Sequence, residues 1–541
     1  MTINLKTQKI LVVEDFSIMR KAIKEMLFRA EARNVAEAEN ANVALDQMAK
    51  EKFDIILCDY NLGTGKNGQQ MLEEAKYRKL LPANALFIMV TAEQTQSMVL
   101  SAMDNKPDDY LTKPFNSQQL LGRIEKHFNR KQFFAEIELA IEKNNIPQAI
   151  VLCENLLAQK DPRTLSPLQK IRAELAIKAG DLQTAAYYYQ EVLNQRELVW
   201  ARMGLGVVAF HQHDIDLGIM HFQKVLSAAP MMMETYDWLA KAYELQGKHA
   251  EAQEILLKAV ELSPQAILRQ QKLANLADKS ENLDVARVAY KSAIKLGEHS
   301  VHKSSGDFSG LAKVYCKNND PKEAVKVIAA LRKEFQNDPE AELRALTQEV
   351  AIFKAQNNPD LSAETYAHLA ELSAKVEHLP KDLALDIAKT HQLNGNLEAA
   401  QELIDKLIIN NIDDEFFIND VRSMNKTLGH EDQTEILIER AKKELIDINN
   451  QGVNLFKQGK IAEALDYLSN AAEKMPTNKT IILNMATILI QDMKRNGLTK
   501  EKLLKSNDCI KKATNLGASY DRLTHIRMEF AKLTEARNLN S

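Results

Sequence analysis

The stretch Phe53 to Asn61, FDIILCDYN, decides the fold. Phe53 to Cys58 is an apolar run of strand length. It stops on a carboxylate, Asp59, and passes into loop residues Tyr60, Asn61, Leu62 and Gly63. Open α/β sheets place their chemistry just past the carboxyl ends of buried parallel strands. Asp59 occupies such a place.

Working outward, Ile10 to Val13 (ILVV) is another buried-strand run, followed directly by Glu14 and Asp15. Ser17 can cap a helix whose apolar positions, Ile18, Ala22, Met26 and Ala30, recur every four residues. A second helical pattern covers Ala41 to Lys50. Leu86 to Val90 (LFIMV) ends on Thr91 and Ala92, and Asp109 to Thr112 runs into Lys113, Pro114 and Phe115. Asn116 or Ser117 caps a last helix reaching about Phe128. The βαβαβ alternation argues a parallel sheet with helices on both faces.

In such a sheet every strand ends on the same edge, so Glu14, Asp15, Asp59, Thr91 and Lys113 converge although they are far apart in sequence. Three carboxylates in one small pocket repel one another and call for a divalent cation. A hard ion such as Mg²⁺ suits a few oxygens plus waters. Lys113 and the metal would neutralise the oxygens of an incoming phosphoryl group, and Thr91 would offer one of them a hydroxyl. Asp59 would be the nucleophile that forms an acyl phosphate.

The fragments ILVVED, FDIILCDYN, IMVTAE and DDYLTKPF resemble the receiver domain of two-component response regulators over roughly the first 125 residues. The resemblance implies a doubly wound, five-stranded, flavodoxin-like sheet. It makes Asp59 the phosphoacceptor. It makes Asp15, Asp59 and the backbone carbonyl of Asn61 ligands of Mg²⁺, with Glu14 acting through water. Thr91 and Lys113 become the switch hydroxyl and the phosphate-binding lysine, Tyr110 the aromatic switch, and Lys113-Pro114 a bond that is usually cis. One departure stands out. Receivers usually carry proline at the position of Gly63 and a loop about one residue shorter than GTGKNG, Gly63 to Gly68. Lys66 in this loop either reaches the phosphate edge or sits on a solvated turn, and the second reading is favoured because glycine more often supplies turns than function.

No glycine- or proline-rich linker follows. Phe128 to Lys143 reads as nearly continuous helix, a join that transmits motion better than a floppy one. From about residue 135 the pattern is helix, turn, helix, turn. Gly206, Gly218, Val225 and Pro230 share a spacing with Ala240, Ala252, Ala259 and Pro264, and with Gly452, Ala464, Ala471 and Pro476. Gly206, Ala240 and Ala274 follow one another at 34-residue steps. Small residues let the two helices of a hairpin approach, the apolar residue packs on the next hairpin, and proline stops the second helix. Gly180, Gly247, Gly395 and Gly459 mark turns inside hairpins. One hairpin cannot bury its own apolar face, so stacking is required. Period and signature resemble the tetratricopeptide repeat, best at Tyr236, Leu239, Ala240 and Tyr243, with roughly nine to eleven units. Irregular stretches are expected near 340–375 and 412–445 and at Asn496 to Lys505. The stretch 299–310, HSVHKSSGDFSG, is an insertion and a candidate break. The expected domains are a receiver over 1–130 and an all-α repeat region over 131–541.

Lys plus Arg is 70 and Asp plus Glu 74, a formal charge of −4, which gives no support for a general nucleic-acid binder. No apolar run reaches the length of a membrane span, and the first residues lack a signal-peptide core. Four separated cysteines read as reduced thiols in the cytoplasm. The close histidine pairs, His211/His213 and His299/His302, lack carboxylate or thiol partners and read as surface residues. No nucleophile lies beside a base in the repeats, so no enzymatic activity is expected there. The expected function is a cytoplasmic response regulator, phosphorylated on Asp59 by a histidine kinase or phosphotransfer protein. Its repeats would bind and regulate a further protein, with no nucleic acid and no membrane insertion. The alternative is a non-switching adaptor that uses the receiver only as a docking module.

Overall fold

A computed structural model describes residues 4–92, 100–101, 104, 106–143, 145–376, 379–412, 414–427, 431–516, 522–523, 525–527, 529–530 and 532–533. Five strands, β1 (Lys9–Val13), β2 (Asn34–Ala38), β3 (Ile55–Asp59), β4 (Leu86–Thr91) and β5 (Asp109–Thr112), form one sheet in the order β2-β1-β3-β4-β5. Every pairing is parallel. This is the expected doubly wound, flavodoxin-like arrangement.

The three inner strands, β1, β3 and β4, are buried on both faces, which is why they show no polar alternation. Leu11, Val13, Ile56, Cys58, Phe87 and Met89 pack on one side with Met71 and Leu72 of the Gly68–Tyr77 helix. Ile10, Val12, Ile55, Leu57, Ile88 and Val90 pack on the other with Ile23, Leu27 and Ile124. Burying one such side chain fully stabilises by roughly 1.5–3 kcal/mol, so these two layers dominate the stability of the sheet.

Strand boundaries differ slightly from expectation. Asp59 is the last residue of β3, paired with Val90, rather than the first residue beyond it. Phe53 precedes the strand because Asp54 turns its carboxylate to the Lys9 amide at 2.8 Å. Ser17 is the first helical residue of Ser17–Arg29 and does not cap it; the capping position is Phe16, which makes no side-chain bond. Asn116, not Ser117, caps the last receiver helix, in a reciprocal pair with Gln119.

That helix runs unbroken from Ser117 to Glu142 and so passes through position 130. Lys131, already beyond that position, still holds Asp108 at 2.9 Å.

By internal packing the chain resolves into two compact units. The first comprises 1–143, 219–243 and 249–318; the second comprises 144–218, 244–248 and 319–541. In the first, the helices His249–Leu262, Ile267–Lys279, Leu283–Gly297 and Ser305–Lys317 pack in sequence. Their signature alanines, Ala252, Ala259, Ala274, Ala286, Ala293 and Ala312, are fully buried. The helices flanking the 299–310 insertion pack on each other, and Ser304 caps the second of them.

In the second unit, Gly180, Gly247, Gly395 and Gly459 all adopt positive φ, as turns inside hairpins demand. The expected irregularity near 412–445 includes a single 27-residue helix, Glu431–Lys457. Part of that stretch, 428–430, lies outside the described residues. The 340–375 stretch forms an ordinary packed pair, Pro339–Ala355 with Pro359–Ser373. The interruption at Asn496 to Lys505 is a hairpin turn through Gly497, closed by Lys502 and Asp492 at 2.6 Å. Among the described residues, no helix is long and apolar enough to cross a membrane.

Candidate functional site

The parallel register brings the strand ends together. Val13 pairs with Cys58, Asp59 with Val90 and Thr91 with Thr112, so the residues that follow each strand emerge on one edge. Glu14 leaves β1 buried at 2% exposure, anchored by its amide to the Ala38 carbonyl at 3.1 Å. Asp15 beside it is exposed. Oxygens of Glu14, Asp15 and Asp59 all lie within 4.8 Å of one another.

Lys113, at the end of β5, reaches back into this cluster. Its Nζ lies 2.7 Å from Glu14 Oε2 and 3.0 Å from Asp59 Oδ1. Its own amide donates to the Thr91 carbonyl at 2.7 Å, and the Lys113-Pro114 bond is cis. Thr91 is buried at the end of β4. Tyr110 lies on β5 with its ring against the core layer that contains Cys58 and Leu72, and its hydroxyl is buried. Asn61 is an exposed loop residue immediately after Tyr60, whose amide bonds the Val90 carbonyl at 2.7 Å.

Burial pushes the Asp59 carboxyl above its usual range; Lys113 pulls it down, and Asp15 adds to the rise. Burial also raises Glu14, against the pull of Lys113 and with the help of Asp59. For Lys113, burial favours the neutral form, but the bond to Glu14 and the charge of Asp59 outweigh it and hold the ammonium above its ordinary value. One lysine facing three carboxylates leaves the pocket short of positive charge, so the donor set fits a hard cation.

Two residues do more here than their sequence context suggested. Gly68 sits where a Cβ would lie 2.2 Å from the Asp59 carbonyl oxygen, and its amide donates to the Tyr60 carbonyl at 2.8 Å. Only glycine lets this helix start so close to the end of β3, and a glycine opening a helix was the one available signal. Arg20 donates to the Glu14 carbonyl at 2.5 Å, fixing the turn after β1; nothing in its surroundings in the sequence marked it. Gly63 has φ +76°, which proline cannot adopt, so the unusual loop has its own backbone path. Lys66 is partly buried, held at 2.8 Å by Glu74 and at 3.3 Å by Asn42, an ion pair that neither reading of the loop foresaw.

Comparison with known proteins places this geometry. The response regulator receiver domain model matches residues 10–125. Chemotaxis protein CheY of Pseudomonas aeruginosa is 35% identical over 122 residues, 23% of this chain and 97% of that protein. The N-terminal part of this chain belongs to the response regulator receiver family. Chemotaxis protein CheY of Bacillus subtilis is 33% identical over 121 residues, covering 22% of this chain and 98% of its own. CheY-3 of Vibrio cholerae is 31% identical over 125 residues, covering 23% of this chain and 95% of its own. Beyond the receiver, a tetratricopeptide repeat model matches residues 234–265, the unit with the strongest signature in the sequence.

Proposed function

We propose that this chain is a cytoplasmic response regulator that accepts a phosphoryl group on Asp59 and answers through its helical repeats. Residues 1–130 act as the receiver and 131–541 as a protein-binding repeat region without chemistry of its own. The observation that carries the reading is the position of Lys113 Nζ, 3.0 Å from Asp59 across a cleft also lined by Glu14.

In the forward step a carboxylate oxygen of Asp59 bonds to the phosphorus of a phosphohistidine on a histidine kinase or phosphotransfer protein. The P–N bond breaks, its electron pair returns to the imidazole, and that ring takes a proton. Mg²⁺ held by Asp15, Asp59 and the Asn61 carbonyl, with Glu14 through water, would supply positive charge to the transferring oxygens. Lys113 is placed to exchange its ion pair with Asp59 for a phosphoryl oxygen. Thr91 offers a hydroxyl to another, and Tyr110 follows the movement of the β4–β5 edge. The repeats bind a protein partner; stacked helix pairs present such surfaces.

The alternative, an adaptor whose receiver only docks, draws on direct bonds such as that of Ser300 to Glu73 at 2.6 Å. Incubation with acetyl phosphate and Mg²⁺ separates the two. Phosphate that is released by alkali and by neutral hydroxylamine should appear on the wild type and not on Asp59→Ala. Equal uptake by both would refute the phosphoacceptor assignment. Partner capture from a lysate that is identical with and without phosphorylation would favour the adaptor.

A further inference from the structure

The insertion that breaks the repeat period has a partner within the first unit. After the Leu283–Gly297 helix, the Leu296 carbonyl accepts from Gln70 Nε2 at 3.2 Å. Ser300 Oγ donates to Glu73 Oε2 at 2.6 Å, and His302 Nε2 lies 3.5 Å from Glu73 Oε1. Gln70 and Glu73 belong to the first turns of the Gly68–Tyr77 helix of the receiver. A second attachment lies nearby. Arg269, with only 5% of its side chain exposed, grips Asp104 of the receiver through both terminal nitrogens at 3.1 and 3.2 Å. The same guanidinium holds Asp237 at 2.9 Å. Ser263 joins Ser101 at 3.1 Å, and Leu100 packs on Met233, Tyr236 and Ala259.

The first attachment lies on the helix that starts against Asp59, and the second on the chain that follows Thr91 in sequence. The Gly68–Tyr77 helix begins against the Asp59 carbonyl with no room for a side chain, so movement of the Asp59 backbone carries to Gln70 and Glu73 within two turns. Asp104 follows Thr91 along the chain after β4. A buried arginine shared by two carboxylates is a costly way to hold surfaces together, because apolar packing of similar volume stabilises as well or better. It is, however, sensitive to small displacements, since the guanidinium, 5% exposed, is expensive to leave unpaired once Asp104 draws away.

We propose that the 296–304 turn together with Arg269 is a dock for the receiver of the same chain, and that phosphorylation of Asp59 loosens it. The proposal rests on the receiver reading given above. Because coupling between two binding equilibria is reciprocal, a weakened dock must favour the phosphorylated form of the receiver.

Beryllofluoride with Mg²⁺, a stable phosphoryl mimic, is the probe, measured by titration calorimetry on the full chain. Glu73→Ala combined with Ser300→Ala, and separately Arg269→Gln, should bind it about fivefold or more tightly than the wild type. In the wild type, amides of 296–304 should exchange faster with deuterium when the probe is bound. The double variant alters partly exposed groups and carries the test if Arg269→Gln does not fold. Wild-type affinity in the folded variants, or weaker binding, would overturn the dock as a regulatory element. Absence of beryllofluoride binding to any form, wild type included, would instead overturn the receiver reading beneath it.

Discussion

Lys113 lies closer to Glu14, at 2.7 Å, than to Asp59, at 3.0 Å. The lysine therefore neutralises the more buried carboxylate first and bridges to Asp59 second. Removing it leaves two buried carboxylates facing Asp15 with no cation between them.

Lys113→Ala should consequently destabilise the protein by about 3 kcal/mol in the absence of divalent cations, the usual size for breaking a partly buried ion pair. Mg²⁺ should recover a larger share of melting temperature in the variant than in the wild type, because the ion replaces the missing charge. Thermal melts with and without excess chelator check both statements.

Gly68→Ala should be severe and Gly65→Ala mild. At Gly68 the added carbon meets the backbone oxygen of Asp59 at 2.2 Å, and that oxygen belongs to a central strand that cannot yield. Overpacking of this kind costs about 3 kcal/mol. At Gly65 nothing lies within 4 Å, and the cost is only the positive φ of +100°, about 1–2 kcal/mol. Denaturant melts monitored in the receiver sheet by hydrogen exchange should show this order.

Asp278 gives a pH dependence. Burial alone would raise its carboxyl, but Lys313 at 3.5 Å and Lys317 at 2.5 Å outweigh it and hold the group below its usual range. A carboxyl lowered in the folded state adds stability that is present above its unfolded value, near 3.8, and is lost as pH falls through the folded value. Asp278→Asn should cost about 2 kcal/mol at neutral pH and flatten the acid limb of the stability curve. Denaturation midpoints measured from pH 7 down to pH 3 test the sign.

The thiols should be inert in the native protein. Burial pushes Cys153 up to about 12 and Cys316 and Cys509 to about 11, and buried Cys58 is raised as well, with Asp59 adding to the effect. At pH 8 a disulfide reagent should label them slowly, and all four rapidly after unfolding.

The sequence exposed the sheet where burial is two-sided. β1, β3 and β4 are apolar throughout because both faces are covered, and their terminal polar residues stand out against that background. β2, NVAEA, was invisible from its own residues: it is an edge strand, only partly buried, and its Glu37 serves Lys24 and Arg20 on the neighbouring helix. The alanine spacing of the repeats was legible because close helix approach needs small residues at fixed intervals. The aromatic counterparts were not. Gly204 and Gly310 lie under the rings of Tyr189 and Tyr290, where a Cβ would fall 2.2 and 2.3 Å from ring carbons, and only the three-dimensional pairing reveals this. Likewise the 299–310 insertion looked like a break, because a sequence cannot say that Glu73, far upstream, will fill it.

The most direct measurement is chemical mapping of the acyl phosphate. The full chain is phosphorylated with acetyl phosphate and Mg²⁺, reduced with borohydride to convert a phosphoaspartate to homoserine, and sequenced as peptides by mass spectrometry. The expected result is homoserine at position 59 alone. Homoserine elsewhere, or an unmodified Asp59 in protein that has taken up phosphate, would contradict the assignment of this cleft as the phosphorylation site.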